Sequence, residues 1–477
     1  MQEINKQDIN NFIDSMKDDM IKSVQELVKI KSVKDKPQLG APFGEGPAMA
    51  LAKALKIAET LGFRTANIDN YVGYAEYGTG EKTIAVLGHV DVVPEGTGWE
   101  YPPYAAEIHD GKIYGRGSTD DKGPIVAALY GLKALKEAGL KPLHRIRIFF
   151  GTDEESGSKD MEYYLEHAGE VPVAGFTPDA MYPLIRSEKG IIMFNAIKEF
   201  KRKPSNIIVK YIHGGEAANA VPDHCECALA VENDNLKKSI VKKFNDFVKE
   251  KKYQMELEEK NNMLILKSKG IAAHAMEPEK GENAIMQLIV FLDEVGLDNS
   301  DVGDYVHFFT KNIGMETDGN SLGIKCMDDT GELSLNVGVI DLNEGKGLVS
   351  VNPRYPCTFK GADVMKKIEE KARDAGIKIE ILMGQPPLYF PIDHPLVKIL
   401  MKVFEEQTNW KGLQPLSIGG GTYAKAIPNI VGFGPLFPGE PVVEHRPNEY
   451  FKIEDLILNA KIYAYAIYEL DKNIKGT

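Results

Sequence analysis

"KTIAVLGHVDVVPEG", residues 82–96, decides how the chain is read: an unbroken apolar run ends in a histidine, and an aspartate follows two places later. Short runs that are apolar throughout suit strands buried on both faces, the usual condition in a parallel sheet. A second such run, "HRIRIFFGTDEESG" at 144–157, follows the helix-forming stretch "DKGPIVAALYGLKALKEAGL" at 121–140, which stops at Gly139. Strand, helix and strand in that order imply a right-handed crossover and an open α/β sheet. In such sheets ligands gather beyond the carboxyl ends of the strands, where His89, Glu154 and Glu155 fall.

Working outward, "INNFIDSMKDDMIKSVQELVKI" (9–30) places Ile9, Phe12, Met16, Met20, Val24 and Leu27 on one helical stripe, and "GPAMALAKALKIAETLGF" (46–63) repeats the pattern. From about Lys189 the texture changes to strands and helices of an α+β sandwich: "GIIMFNAIKEF", "SNIIVKYIHGG", "LKKSIVKKFNDFVKEKK", "NMLILKSKG" and "NAIMQLIVFLDEVG". A second strand-rich stretch, Gly323 to Tyr355, leads into "ADVMKKIEEKARDAG" and "KIEILMG", so the same kind of unit can occur twice without a residue-level repeat. After the proline-rich "GQPPLYFPIDHP" the first texture returns. The expected architecture is an α/β three-layer catalytic domain built from residues 1–186 and 385–477, with an inserted α+β lid domain at 187–384.

The balance of 57 basic against 70 acidic residues, a net charge of -13, argues against nucleic acid or an anionic membrane as partner and favours small molecules or peptides. Four cysteines, two of them too close in sequence to bridge comfortably, point to a reducing compartment. No leader-like opening and no long uncharged apolar stretch are seen, so the expected location is cytoplasmic.

The candidate chemistry is spread along the chain. In extended backbone, residues two apart point the same way, so Asp91 can accept a hydrogen bond from one nitrogen of His89 and leave the other facing a metal. Asp120 and Asp121 stand just before a helix, where an aspartate also serves as a cap. Glu154 and Glu155 end a strand, where neighbours point differently, which suits one ligand and one base. Asp179 in "FTPDAMYP" and His445 in "VVEHRPNEY" complete the set. Alone, each is a loop histidine, a cap or an acidic turn. Together they form a mixed nitrogen and oxygen donor set suited to zinc or manganese. The charge of two divalent ions would be balanced by Asp120, Glu155 and Asp179 with one bridging hydroxide.

"GHVDVVP", "YGRGSTDDKG", "FGTDEESGS", "TPDAMYP", "AAHAMEP" and "VEHRPNEY", in this order, resemble the M20 metallopeptidases, and the long insert resembles their PepV-type dipeptidase branch. The resemblance runs through almost the whole chain. It implies two Zn2+ ions, with Mn2+ as the alternative. Asp120 would bridge them, His89 and Asp179 would complete one site, and Glu155 and His445 the other. Asp91 would orient His89, Glu154 would be the general base, and the Asp120–Asp121 peptide would be cis. His274 resembles the histidine that stabilises the oxyanion. Asn219 and Arg354 resemble lid residues that hold substrate, the arginine by a terminal carboxylate, and Gly419, Gly420, Gly421 and Thr422 resemble the loop whose amides receive that carboxylate. Asp121, Asn352 and Tyr423 depart from the commoner pattern, which bears on substrate class. The implied activity is hydrolysis of dipeptides with a free N-terminus. The alternatives are another amidohydrolase of the family, an N-acyl amino acid deacylase or a tripeptidase, and, from a different class, a non-catalytic peptide-binding protein. With a lid long enough to supply both of its halves, the expected state is a monomer.

Overall fold

The computed structural model describes residues 4–201, 205–297 and 300–474. The chain divides into two units: Met1–Ser187 with Tyr389–Leu416 and Thr422–Thr477, and Glu188–Leu388 with Ser417–Gly421. Both are mixtures of helix and sheet, as the α/β class with an inserted α+β unit requires.

In the first unit the strand Thr83–His89 is buried at every position, as its unbroken apolar run demands. Its two neighbours, Arg145–Gly151 and Ala174–Thr177, both run parallel to it. Ile430–Gly432, from the C-terminal part, joins parallel to Ala174–Thr177, with Ile185–Glu188 antiparallel beyond it. On the other side Val72–Tyr77 and Arg64–Ile68 extend the sheet antiparallel. Parallel pairing puts the carboxyl ends of the three central strands at one edge, and His89 lies directly opposite Gly151 in register.

The first helical stripe breaks into two helices, Lys6–Ser15 and Lys17–Val28. Met16, at φ −96° and ψ 8°, leaves the helical conformation, and the buried face shifts accordingly: Ile13 is buried where Phe12 and Met16 are only half-buried. The helix Lys122–Glu137 is buried over nearly its whole surface and packs along the C-terminal helix Ile453–Asn473. Gly131 permits that approach: a Cβ there would stand 2.7 Å from the Ala460 carbonyl oxygen and 3.1 Å from the Ala464 nitrogen. Gly131→Ala, which improves intrinsic helix propensity, is therefore expected to destabilise the protein by about 1–3 kcal/mol, read as a lower melting temperature.

The second unit holds an eight-stranded antiparallel sheet in two halves. One half is the hairpin Ile207–Gly214 and His224–Val231, the helix Asp234–Lys251, then the strands Gln254–Lys260 and Met263–Lys269. The other is the hairpin Ser334–Asn343 and Lys346–Tyr355, the helix Gly361–Asp374 and the strand Lys378–Gln385, its fourth strand being Gly190–Glu199 from earlier in the chain. The halves meet where Tyr211–Gly214 pair with Ile340–Asn343. One continuous apolar core joins them, including Ile212, Leu266, Phe291, Tyr305, Val351 and Ile368. The glycine segment Ser417–Gly421, expected in the second part of the catalytic domain, clusters instead with this inserted unit. Among the described residues no helix is long and apolar enough to cross a membrane.

Candidate active site

Six side chains from five segments of the first unit come together beyond the carboxyl ends of the parallel strands. Asp120 stands between two imidazoles: Oδ1 lies 2.9 Å from His89 Nε2 and Oδ2 lies 2.9 Å from His445 Nε2. His445 Nε2 is also 3.2 Å from Glu155 Oε2, and His89 Nε2 is 4.0 Å from Asp179 Oδ2. Donor atoms of His89, Glu154 and Asp179 all lie within 4.8 Å of one another, as do those of Asp120, Glu155 and His445. The Asp120–Asp121 peptide is cis.

Each position follows from local structure. His89 ends a buried strand. Glu154 and Glu155 begin a single 3-10 turn after the neighbouring strand, and Asp179 follows the next one by two residues. Asp91 meets the Nδ1 side of His89 twice, with its main-chain oxygen at 3.1 Å and its carboxylate at 3.4 Å. With Nδ1–H donating to that carbonyl, Nε2 is the nitrogen turned toward Asp120, where a metal ion would take the place of its proton. The Asp91 carboxylate also accepts the amides of Glu154 (3.3 Å) and Glu155 (3.2 Å), so one residue ties the histidine strand to the acidic turn. Asp121 accepts the His89 amide at 3.2 Å, and Gly88 leaves room for it, since a Cβ there would come within 2.4 Å of that oxygen.

The electrostatics are those of acids crowded away from water. Burial and Asp120 push Asp179 up to about 7, burial and Asp179 raise Glu154 well above the carboxylate range, and burial and Asp120 raise Glu155. His445 is drawn up to about 11 by Asp120 and Glu155. Burial works to lower His89, yet Asp120 and Asp91 outweigh it and hold it raised. Among the described residues no lysine or arginine pairs with Asp120, Glu154, Glu155 or Asp179. Nearby, Glu444 Oε2 and Asp121 Oδ1 are buried without a hydrogen-bond partner. Four carboxylates around two imidazoles, without a lysine or arginine to balance them, fit a pair of divalent cations.

Two supporting residues had no role in the sequence reading. Glu449 is fully buried, accepts the amides of Thr119 (3.0 Å) and Asp120 (3.3 Å), and is held by Arg116 at 2.6 Å. Asp160, likewise buried, accepts the amides of Thr152 and Asp153 and the hydroxyl of Tyr423 at 2.6 Å, while the Tyr423 ring meets His89 edge-on. The "NEY" triplet after His445 was the available signal for Glu449; nothing local marked Asp160.

The remaining candidates, except Thr422, lie in the inserted unit. His274 pairs with Ala220 beside Asn219, whose carbonyl accepts the Ala275 amide. His274 Nδ1 accepts the Met276 amide at 3.2 Å, which leaves Nε2–H as a donor, and burial followed by Arg354 lowers its pKa. Arg354 is buried and donates to the Gly419 carbonyl at 2.7 Å. Gly419 is required by the close approach of Met276, 2.8 Å from where a Cβ would stand. Gly420 and Gly421 belong to the same unit, whereas Thr422 belongs to the first, where its hydroxyl caps the turn Tyr423–Ala426.

Comparison with known proteins agrees with this geometry. Residues 85–469 match the profile of peptidase family M20/M25/M40. The chain is 41% identical over 464 residues to "Putative dipeptidase YtjP" of Bacillus subtilis, covering 96% of this chain and 98% of that one. It is 35% identical over 459 residues to a "Putative dipeptidase" of Staphylococcus epidermidis, covering 94% and 97%. In fold it is similar to human carnosine dipeptidase 1 (TM-score 0.58, 16% identity, 98% and 100% covered) and to the Saccharomyces cerevisiae di-peptidase Dug1p (TM-score 0.54, 14% identity, 99% of each). A family match over most of the chain and relatives of this identity leave one conclusion: the chain belongs to peptidase family M20/M25/M40, and is a metal-dependent hydrolase of peptide bonds.

Proposed function

We propose that the protein is a dipeptidase of the PepV-type branch that acts on dipeptides with a free N-terminus and carries two divalent cations, zinc or manganese. The observation that supports this most is Asp120, with one oxygen 2.9 Å from each of two histidines. His89 and Asp179 would hold one ion, Glu155 and His445 the other, with Asp120 shared. Such ions lower the pKa of a water molecule and polarise a carbonyl oxygen.

The rest falls to the chain's own groups. Asp91 keeps His89 in the tautomer whose Nε2 is free to coordinate. Glu154, beside His89 and Asp179, takes a proton from the attacking water and returns one to the leaving amine. His274 offers Nε2–H to the oxygen that gains charge. Arg354 receives the terminal carboxylate, for which its planar fork is suited. A cytoplasmic, monomeric enzyme fits this reading.

The test is a panel of dipeptides, tripeptides and N-acyl amino acids offered to metal-stripped protein with zinc and manganese restored in turn. Dipeptides should be hydrolysed with the largest kcat/KM. Hydrolysis of acylated amino acids in their place would replace this reading with a deacylase, and no hydrolysis of any of them would leave a binding protein.

A further inference from the structure

Arg354 is 3% exposed, and among the described residues it pairs with no carboxylate. Burial alone draws its pKa down to about 10. A guanidinium removed from water ordinarily has an acid beside it, because an unpaired buried charge is costly. Here the groups that accept its hydrogen bonds are neutral. Nε donates to Asn352 Oδ1 at 3.2 Å and Nη1 to the Gly419 carbonyl.

Asn352 is itself fully buried, and its Nδ2 donates to the Ile192 carbonyl at 2.7 Å. That bond settles which way the amide is turned: the NH2 faces a carbonyl, so the oxygen must face the arginine. An aspartate of the same shape could not donate to Ile192, and would neutralise Arg354. Directly across the hairpin from Asn352 lies Asn336, also buried, whose Nδ2 donates to the carbonyls of Ala218 (3.0 Å) and Ala220 (2.7 Å), bracketing Asn219. Two neutral amides in register thus align the two segments read as holding substrate, and neither adds a charge.

We propose that Asn352 is a positioning residue that aims the guanidinium of Arg354 while leaving its charge uncompensated, so that the site demands a free carboxylate on its substrate. The inference rests on the reading of Arg354 as the carboxylate anchor. The two are separated by steady-state kinetics of the metal-loaded protein on Ala-Leu and on Ala-Leu amide. Wild-type protein should show a KM for the amide at least about tenfold higher; equal KM values overturn the anchor and this inference with it. If wild type discriminates, Asn352→Asp should raise KM for Ala-Leu at least about tenfold, with kcat within about twofold and the amide little affected. An unchanged KM, or a loss confined to kcat, overturns the role of Asn352 and leaves the anchor standing. Should melting show that Asn352→Asp does not fold, Asn352→Leu decides: it removes the acceptor for Nε without adding charge. It should raise KM for Ala-Leu by about threefold or more and not for the amide, and an unchanged KM rejects the proposal.

Discussion

Glu154→Gln should lower kcat for a dipeptide by about two to four orders of magnitude while the protein keeps its full complement of metal. The substitution keeps size and hydrogen-bonding reach but removes the ability to accept a proton. Glu154 shares its surroundings with His89 and Asp179, so a purely ligating role would show itself differently, as metal lost in parallel with activity. Metal analysis and single-turnover kinetics on the same sample separate the two. Near-normal turnover with metal in place would remove Glu154 from the mechanism.

Removal of metal should abolish hydrolysis altogether, and in two stages. The two donor groups differ in access: the His89 side chain is 0% exposed, while that of His445 is 53% exposed on a residue in the left-handed region at φ 63°. A chelator should therefore withdraw the ion of the Asp120, Glu155 and His445 group first. Activity plotted against bound metal should fall mainly with that first equivalent, since either ion alone leaves half of the arrangement. Both groups must shed protons before they coordinate, so apparent metal affinity should weaken as pH falls. Loss of both ions in one step, or affinity independent of pH, would count against two sites of unequal access.

Much of this was legible in the chain because its chemistry sits where regular structure ends. The run before His89 has the unbroken apolar character of a buried strand, and the parallel crossover that follows brings Gly151, and hence Glu154 and Glu155, to the same edge. What escaped notice depends on long-range contact. Glu449 steadies Asp120 from 329 positions away, and Asp160 reaches Tyr423 across 263. Met16 breaks a helix whose apolar spacing alone would continue it. The Asp91 carboxylate also takes the amides of the next loop, a second contact that residue spacing cannot specify.

The excursion of Ser417–Gly421 also bears on how such a protein can be taken apart. The chain passes between its units after Ser187, Leu388, Leu416 and Gly421, rather than entering and leaving the insert once. Cutting out 188–388 as a cassette would strand five residues, among them Gly419, which packs on Met276 and accepts a hydrogen bond from Arg354, and a chimera with a relative's insert would mismatch there unless those five travelled with it. The insert and this short pentapeptide are thus expected to be inherited and exchanged as one module.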